Sequence, residues 1–147
     1  MNHSVEGYTI YRHDRTNDTA TKGGGVLLYV KDSLNSQMLP SLTNSGFQDS
    51  VWVHVSNQKC NLIVGVCYRS TASTSENNEK KLLQLSDQAV KLAGNTHIMI
   101  LGDFNYPTII NYDNLTVNPG DKSAADFFDK TMDSFLYQNV MEYTRII

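Results

Sequence analysis

The sequence contains little cysteine and proline, and it has no excess of positive charge. Its 147 residues include two cysteines, three prolines and one tryptophan, and 12 Lys and Arg against 15 Asp and Glu give a net charge of -3. So few cysteines exclude a small scaffold built on disulfides, and the charge balance excludes the overall basic field of many nucleic-acid-binding domains. A basic groove confined to one surface is still compatible with this total charge.

Hydrophobic runs long enough to cross a membrane are also missing. No stretch of 18 apolar residues occurs, so the sequence predicts neither a membrane span nor a membrane partner. The first residues lack the basic start and the apolar centre of a signal peptide. The length predicts a single domain over 1–147, with Cys60 and Cys67 as buried free thiols in a reducing compartment.

The signatures of several enzyme classes are absent. Gly23, Gly24 and Gly25 precede a strand-like run, but no Lys-Ser or Lys-Thr pair follows them, which excludes a P-loop. The four histidines and two cysteines do not show the spacing of a zinc site, and no Gly-x-Ser-x-Gly elbow occurs. The sequence therefore does not support P-loop, structural-zinc or serine-hydrolase chemistry.

Hydrophobic patterns predict strands first and then an alternation of strands and helices. Short apolar or alternating runs predict strands at Tyr8–Arg12, Gly25–Lys31, Val51–Val55, Asn61–Arg69 and His97–Leu101. The short turn between the third and fourth of these runs favours an antiparallel hairpin. Because the run 97–101 is continuously apolar, it predicts a strand buried in the interior of a sheet.

Two amphipathic patterns predict helices. The first has capping-box spacing at its start, one apolar face and a glycine stop: Ser73 and Glu76, then Leu82, Leu85, Ala89 and Leu92, then Gly94. The second has a similar start and an apolar inner face: Ser123 and Asp126, then Phe128, Met132, Phe135 and Leu136. The segment Asn139–Thr144 predicts the beginning of one further strand.

Asp103 and Asn105 follow the apolar run 97–101, where open α/β sheets place their sites. Their i, i+2 spacing puts both side chains on one face of an extended chain, and Phe104 is expected to point into the core. A carboxylate can act as a general base or bind a hard cation, and an amide can donate to a phosphate oxygen. Alternatively, the segment is an ordinary turn whose side chains bond to the backbone.

Tyr68 and Arg69 end the other long apolar strand. A tyrosine hydroxyl can hydrogen-bond a phosphate oxygen, and an arginine can clamp a phosphate, which makes Arg69 a candidate substrate-binding residue. Alternatively, the pair is a strand-end aromatic residue and a solvated cation. Since both strands carry polar residues at their carboxyl ends, we expect Tyr68, Asp103 and Asn105 to converge on one rim.

Several segments follow one another in a specific order along the chain: GYTIYRHDR, KGGGVLLYVKDSL, VWVHV, LIVGVCYRS, IMILGDFNYP and EYTR. Together they resemble the endonuclease/exonuclease/phosphatase superfamily, which has the fold of DNase I and of the apurinic/apyrimidinic endonucleases. The greatest similarity is to the endonuclease domain of non-LTR retrotransposons. The resemblance implies an α/β (α+β) fold, part of a two-sheet sandwich with mixed, mostly antiparallel strands and flanking helices.

The resemblance also implies a reaction, the Mg²⁺-dependent hydrolysis of a DNA phosphodiester. Asp103, in the GDFN motif, is implied to act on the attacking water and on the metal ion. Asn105 and Tyr68 are implied to contact the scissile phosphate, and Thr144 and Arg145 to lie in a substrate-binding segment. For an intact element, the resemblance implies a fused reverse transcriptase and, if it is functional, a nuclear location.

Two family segments are not found in the sequence. The segment with the metal-binding Glu is expected before Gly7, and the Ser-Asp-His segment with the catalytic His is expected after Arg145. We therefore expect an incomplete active site and little or no activity from this chain. The alternative enzyme is a phosphatase of the same superfamily, and the alternative outside enzymes is a non-catalytic remnant or interaction module. Flanking sequence that encodes both segments and a reverse transcriptase would favour the retrotransposon hypothesis.

Overall fold

The structure, a computed structural model, describes residues 3–15, 24–71, 76–110, 116–117 and 120–140. The chain divides into two compact units, Met1–Phe104 and Asn105–Ile147. No helix within the described ranges is both long and apolar enough to cross a membrane. The expectation of a single domain over 1–147 stays a prediction.

The first unit begins with a two-stranded antiparallel sheet. Its strands are β1 (Tyr8–Asp14) and β2 (Gly25–Lys31), paired from Tyr8 opposite Lys31 to Asp14 opposite Gly25. Val26 and Val30 of β2 are buried, as expected for alternating β-branched residues on the inner face of a sheet. The two strands predicted at this end of the chain are confirmed, and β1 extends two residues beyond its prediction.

A mixed four-stranded sheet forms the centre of the first unit. Its strands lie in the order β3 (Asn35–Met38), β4 (Ser50–Ser56), β5 (Asn61–Tyr68) and β6 (His97–Asp103). The pairs β3–β4 and β4–β5 are antiparallel, and β5–β6 is parallel. A parallel pair needs a long crossover connection, and helix α2 (Glu76–Ala93) lies within it. The predicted β4–β5 hairpin is confirmed.

The two-stranded sheet packs on one face of the central sheet. The hydroxyl groups of Tyr11 and Ser36 are 2.9 Å apart, and Nδ1 of His13 is 3.0 Å from the carbonyl oxygen of Ser50. Ser36 lies opposite Val55, and cross-strand partners share a face, so β1 and β2 cover the face that carries the β4 valines. The core at this interface includes Val26, Val30, Val51, Val53 and Val64.

Helix α2 contacts β6 and the short helix α1 (Pro40–Thr43). Its buried residues are Leu82, Leu85, Ala89 and Ala93, whereas Leu92 is exposed. The predicted inner face is therefore correct except at Leu92, where the buried position belongs to Ala93. The helix begins at Glu76, and Ser73, the predicted capping residue, lies outside the described residues.

Strand β6 corrects the prediction of a buried interior strand. It lies at the edge of the central sheet, and His97, Met99 and Leu101 are exposed while Ile98 and Ile100 are half-buried. Among the described residues, β1 and β2 contact mainly β4 and β5, so they cover the valine-bearing face at those two strands more than at β6. A continuous apolar run predicts a strand, but whether other strands cover it depends on the rest of the fold.

The second unit contains strands β7 (Ile109–Ile110) and β8 (Thr116–Val117), which pair antiparallel, and helix α3 (Lys122–Asp133). Asp121 caps this helix, since its carboxylate accepts a hydrogen bond from the backbone N–H of Ala124 at 3.0 Å. The prediction that Ser123 and Asp126 begin the helix is wrong, because both residues lie inside it. Asp121 precedes the first turn, and from there its carboxylate reaches a free backbone N–H group.

The predicted inner face of α3 is only partly correct. Phe128 is half-buried, but Met132 is exposed and Phe135 is 85% exposed. The helix ends at Asp133, and Phe135 has a backbone φ of 55°, so the helical periodicity does not continue to Phe135 and Leu136. Residues 139–140 are not in a strand, and the rest of the predicted strand Asn139–Thr144 lies outside the described residues.

The two cysteines differ in environment, which corrects the expectation that both are buried. Both are free, but Cys60 is exposed in the β4–β5 turn and Cys67 is buried in β5. Burial raises the pKa of the Cys67 thiol to about 12, because desolvation disfavours the thiolate. A thiolate is the form that reacts with electrophiles.

We therefore expect the native chain to react rapidly with a thiol reagent at Cys60 alone. Titration with Ellman's reagent at mildly alkaline pH should release one equivalent at once and the second only after denaturant is added. The Cys60→Ser variant should lose the rapid phase. Rapid release of two equivalents from the native chain would contradict the buried position of Cys67.

Candidate active site

Two neighbouring parallel strands end at the same edge of the central sheet. The register of β5 and β6 places Tyr68 opposite Asp103, and partners in register project from the same face. Both residues are exposed, so solvent reaches their side chains. This edge, with Tyr68, Arg69 and Asp103, is called the carboxyl rim. The structure meets the shared-rim expectation for Tyr68 and Asp103, and their catalytic roles stay predictions.

Gly102 brings the end of β6 close to β5. It lies opposite Cys67, and a Cβ atom at this position would overlap the carbonyl oxygen of Cys67. Its φ of +147° is also a conformation that other residues rarely adopt. Only glycine therefore fits at this point, and it sets the backbone immediately before Asp103.

Arg69 joins three elements at the carboxyl rim. Its backbone N–H donates to the carbonyl oxygen of Asp103 at 2.9 Å, and its Nη1 donates to that of Phe104 at 3.3 Å. Its Nε and Nη2 lie 2.8 and 2.6 Å from Oε1 of Glu79, in the first turn of α2. The side chain is only 8% exposed. These contacts turn the guanidinium inward, and its predicted role in binding substrate stays a prediction.

A second ion pair lies beside Tyr68. Nε and Nη2 of Arg15 donate to the two carboxylate oxygens of Asp49 at 3.0 and 2.8 Å, a bidentate arrangement. This hydrogen-bonded pairing holds the pKa of Arg15 above its usual value. The carbonyl oxygen of Asp49 accepts the backbone N–H of Tyr68 at 2.8 Å. The Arg15–Asp49 pair therefore ties the segment after β1 to the end of β5.

The described residues do not by themselves fit a complete magnesium site. Within them, no group of three or more His, Cys, Asp or Glu side chains lies close enough together to hold a metal ion. Near the carboxyl rim, Asp49 and Glu79 are each paired with an arginine. Magnesium prefers several oxygen ligands in octahedral geometry, so Asp103 could supply one ligand and not a site.

The remaining predicted residues have different outcomes. Asn105 begins the second unit with a φ of 48°, a left-handed conformation in which asparagine is enriched. Phe104 is half-buried, so the expectation that it lies in the core is wrong: its position follows the end of β6, beyond the covered part of the sheet. Thr144 and Arg145 lie outside the described residues.

Sequence patterns did not indicate Arg15, Asp49 or Glu79 as neighbours of the rim. Arg15 and Asp49 are 34 residues apart, and their contact arises from the packing of β1 and β2 on the central sheet. Glu79 is ten residues after Arg69 and could have been suspected, because it is an acidic residue in the first turn of the predicted helix that follows the strand. Its contact with Arg69 still depends on how α2 packs against the sheet.

The comparisons with known proteins support the fold. No protein-family model and no curated protein matches the sequence. Among solved structures, the chain is similar to the endonuclease domain of TRAS1, a telomere-specific non-LTR retrotransposon, with a TM-score of 0.62 and 11% sequence identity. The match covers 92% of this chain and 58% of that chain. The chain thus has the DNase I-like fold that the sequence resemblance implied, and it spans less than two thirds of the matched chain.

Proposed function

We propose that this chain is the central part of a metal-dependent phosphodiester hydrolase, a DNA endonuclease domain of retrotransposon origin. The fold shared with a retrotransposon endonuclease domain supports this origin. The observation that carries the proposal is the pairing of Tyr68 with Asp103 at the carboxyl rim, where both are exposed. A hydroxyl and a carboxylate side by side are suited to a phosphate ester and its attacking water.

In the proposed reaction, each rim residue has a separate task. Asp103 accepts a proton from the attacking water or orients it, because a carboxylate oxygen that faces solvent can accept a hydrogen bond from that water. Tyr68 donates its hydroxyl hydrogen to a phosphoryl oxygen on which charge develops. Asn105 would add amide donors to the same phosphate. Thr144 and Arg145 are proposed to contact the DNA strand outside the reacting group.

We propose that the cofactor is Mg²⁺ and that further ligands complete its site, since the described residues offer Asp103 without two further ligands beside it. A divalent ion stabilises negative charge on phosphoryl oxygens when it is bound. The proposed partners of the complete domain are DNA and a fused reverse transcriptase. This chain alone is proposed to be inactive, because loss of one general acid or base commonly lowers a rate by about 10²–10⁴.

Plasmid nicking tests this proposal. The chain, incubated with supercoiled plasmid and Mg²⁺, should nick no faster than its Asp103→Ala variant. A longer translation product of the same reading frame, containing the metal-binding Glu and the catalytic His, should nick in Mg²⁺ and should lose this activity on Asp103→Ala. A Lys80→Ala variant of the longer product is the matched control, because Lys80 pairs with Glu76 on the exposed surface of α2.

Three outcomes would contradict the proposal. Mg²⁺-dependent nicking by this chain that disappears on Asp103→Ala would show that these residues already assemble a working site. A longer product that hydrolyses a phosphomonoester such as p-nitrophenyl phosphate, and leaves plasmid intact, would favour the phosphatase alternative. Inactivity of the longer product on both substrates would favour the non-catalytic remnant or interaction module.

A further inference from the structure

We propose that Arg69 is a positioning residue that holds the backbone on both sides of Phe104, rather than a residue that contacts the substrate. This inference rests on the proposed function of Asp103. In this proposal the buried guanidinium of Arg69, which is held by Glu79, determines where strand β6 ends. It thereby determines the position of the Asp103 side chain.

Two consecutive carbonyl groups accept hydrogen bonds from this one residue. The carbonyl oxygen of Asp103 accepts the backbone N–H of Arg69, and the carbonyl oxygen of Phe104 accepts Nη1 of its side chain. The first bond continues the parallel ladder of β5 and β6 by one residue. The second bond lies one residue beyond the end of that ladder, and its donor is the Arg69 side chain.

Glu79 fixes the direction of the guanidinium. Both Nε and Nη2 of Arg69 approach the same carboxylate oxygen, Oε1, so one edge of the planar group is held against α2 and Nη1 projects toward Phe104. The side chains of Arg69 and Glu79 are 8% and 14% exposed. Burial removes the hydration of both charges. The pair is therefore stable only when its polar atoms are hydrogen-bonded within the protein.

The same geometry separates Arg69 from the substrate side of the rim. Tyr68 and Arg69 are adjacent in an extended chain, and adjacent side chains point to opposite faces. Tyr68 shares the exposed face of Asp103, whereas Arg69 turns toward α2 on the other face. A guanidinium in this position acts on Asp103 through the backbone.

Nuclear magnetic resonance of the isotope-labelled chain tests the proposal. The Arg69→Lys variant keeps a positive charge that can face Glu79, but it lacks the planar second donor for Phe104. The Arg69→Met variant removes charge and donors at similar length. The matched control is Glu76→Gln, which removes an exposed ion pair in the same turn of α2. The readouts are the carbonyl ¹³C shifts of Asp103 and Phe104, amide hydrogen exchange at residue 69, and affinity for a fluorescent DNA duplex.

We expect both Arg69 variants to shift the Phe104 and Asp103 carbonyl resonances upfield. Exchange of the residue-69 amide should accelerate by about 10-fold or more relative to the amides of β4, because its acceptor is no longer held in place. Glu79→Gln should give a smaller shift in the same direction, and Glu76→Gln should give none. If Arg69→Met does not fold, as judged by Trp52 fluorescence, Arg69→Lys and Glu79→Gln provide the same comparison.

Unchanged carbonyl resonances in folded Arg69→Lys and Glu79→Gln variants would overturn the proposal. So would a loss of DNA affinity in Arg69→Lys with unchanged resonances, because that result would make Arg69 a substrate contact. None of these readouts requires hydrolysis. A failure of the proposed endonuclease function, seen in plasmid nicking, is therefore distinguishable from a failure of the positioning role.

Discussion

Replacement of Gly102 by alanine is expected to lower the free energy of unfolding by about 4 kcal/mol or more, enough to unfold a marginally stable unit. The added Cβ would overlap the carbonyl oxygen of Cys67, which belongs to the neighbouring strand. Relief requires the backbones of β5 and β6 to separate, because neither atom is at the end of a flexible side chain. The positive φ at this position adds about 1–3 kcal/mol of conformational strain.

Urea denaturation followed by Trp52 fluorescence measures this effect, since the chain has one tryptophan and it is fully buried. Gly94→Ala is the matched control: Gly94 also has a positive φ, but among the described residues no atom beyond its two chain neighbours lies within 4 Å of the added Cβ. Gly94→Ala should lower the free energy of unfolding by about 1–2 kcal/mol, because it introduces the strain of a positive φ without a steric overlap. Equal stabilities of the Gly102→Ala and Gly94→Ala variants would contradict the close approach of β5 and β6.

The second large effect is expected at Gly65, which lies opposite Trp52 in the central sheet. A Cβ atom on Gly65 would lie 2.5 Å from two atoms of the indole ring, and Trp52 is fully buried, so the ring has no free space to enter. Gly65→Ala should therefore destabilise the chain by about 3 kcal/mol, the upper end of the usual range for overpacking.

A smaller side chain at position 52 should relieve this clash. In a Trp52→Leu background, Gly65→Ala should lower the free energy of unfolding by less than about 1 kcal/mol. The difference between this loss and the loss caused by Gly65→Ala in the native chain is the coupling energy of the pair. The indole Nε1 has no hydrogen-bond partner among the described residues, so Trp52→Leu removes no described hydrogen bond. Thermal unfolding followed by circular dichroism suits all four proteins, because two of them lack tryptophan. Additive effects would show that the indole ring does not pack on Gly65.

The parts of the fold that could be predicted from the sequence are those decided by local patterns. Gly25–Lys31 is a strand with the predicted bounds, and the α2 face is correct at Leu82, Leu85 and Ala89, because alternation and helical periodicity act over neighbouring residues. Strand β3 was missed because its residues, Asn35–Met38, are mostly polar. Its strand conformation depends on pairing with β4, which lies later in the sequence.

The sequence predicts which residues lie at the two strand ends of the candidate site, but it does not predict which residues surround them. Tyr68 and Asp103 could be placed on one rim because each lies at the carboxyl end of a predicted apolar strand. The ion pairs around them could not, since the Arg15–Asp49 contact depends on how one sheet packs on another. The inward direction of Arg69 is likewise a tertiary effect, because a strand-end arginine has the same local pattern whether it faces solvent or a helix.

The crossover between β5 and β6 has a consequence for the order in which the unit folds. Strands β4 and β5 are joined by a tight turn, in which the backbone N–H of Asn57 donates to the carbonyl oxygen of Cys60 at 2.9 Å. Arg69 and Phe104, by contrast, are 35 residues apart in sequence, and closing a longer loop loses more chain entropy before any contact compensates. The hairpin can therefore serve as an early template, while the rim forms late. We therefore expect the hairpin to form before the residues proposed to meet the phosphate come together, because the strands that carry those residues are joined only through α2.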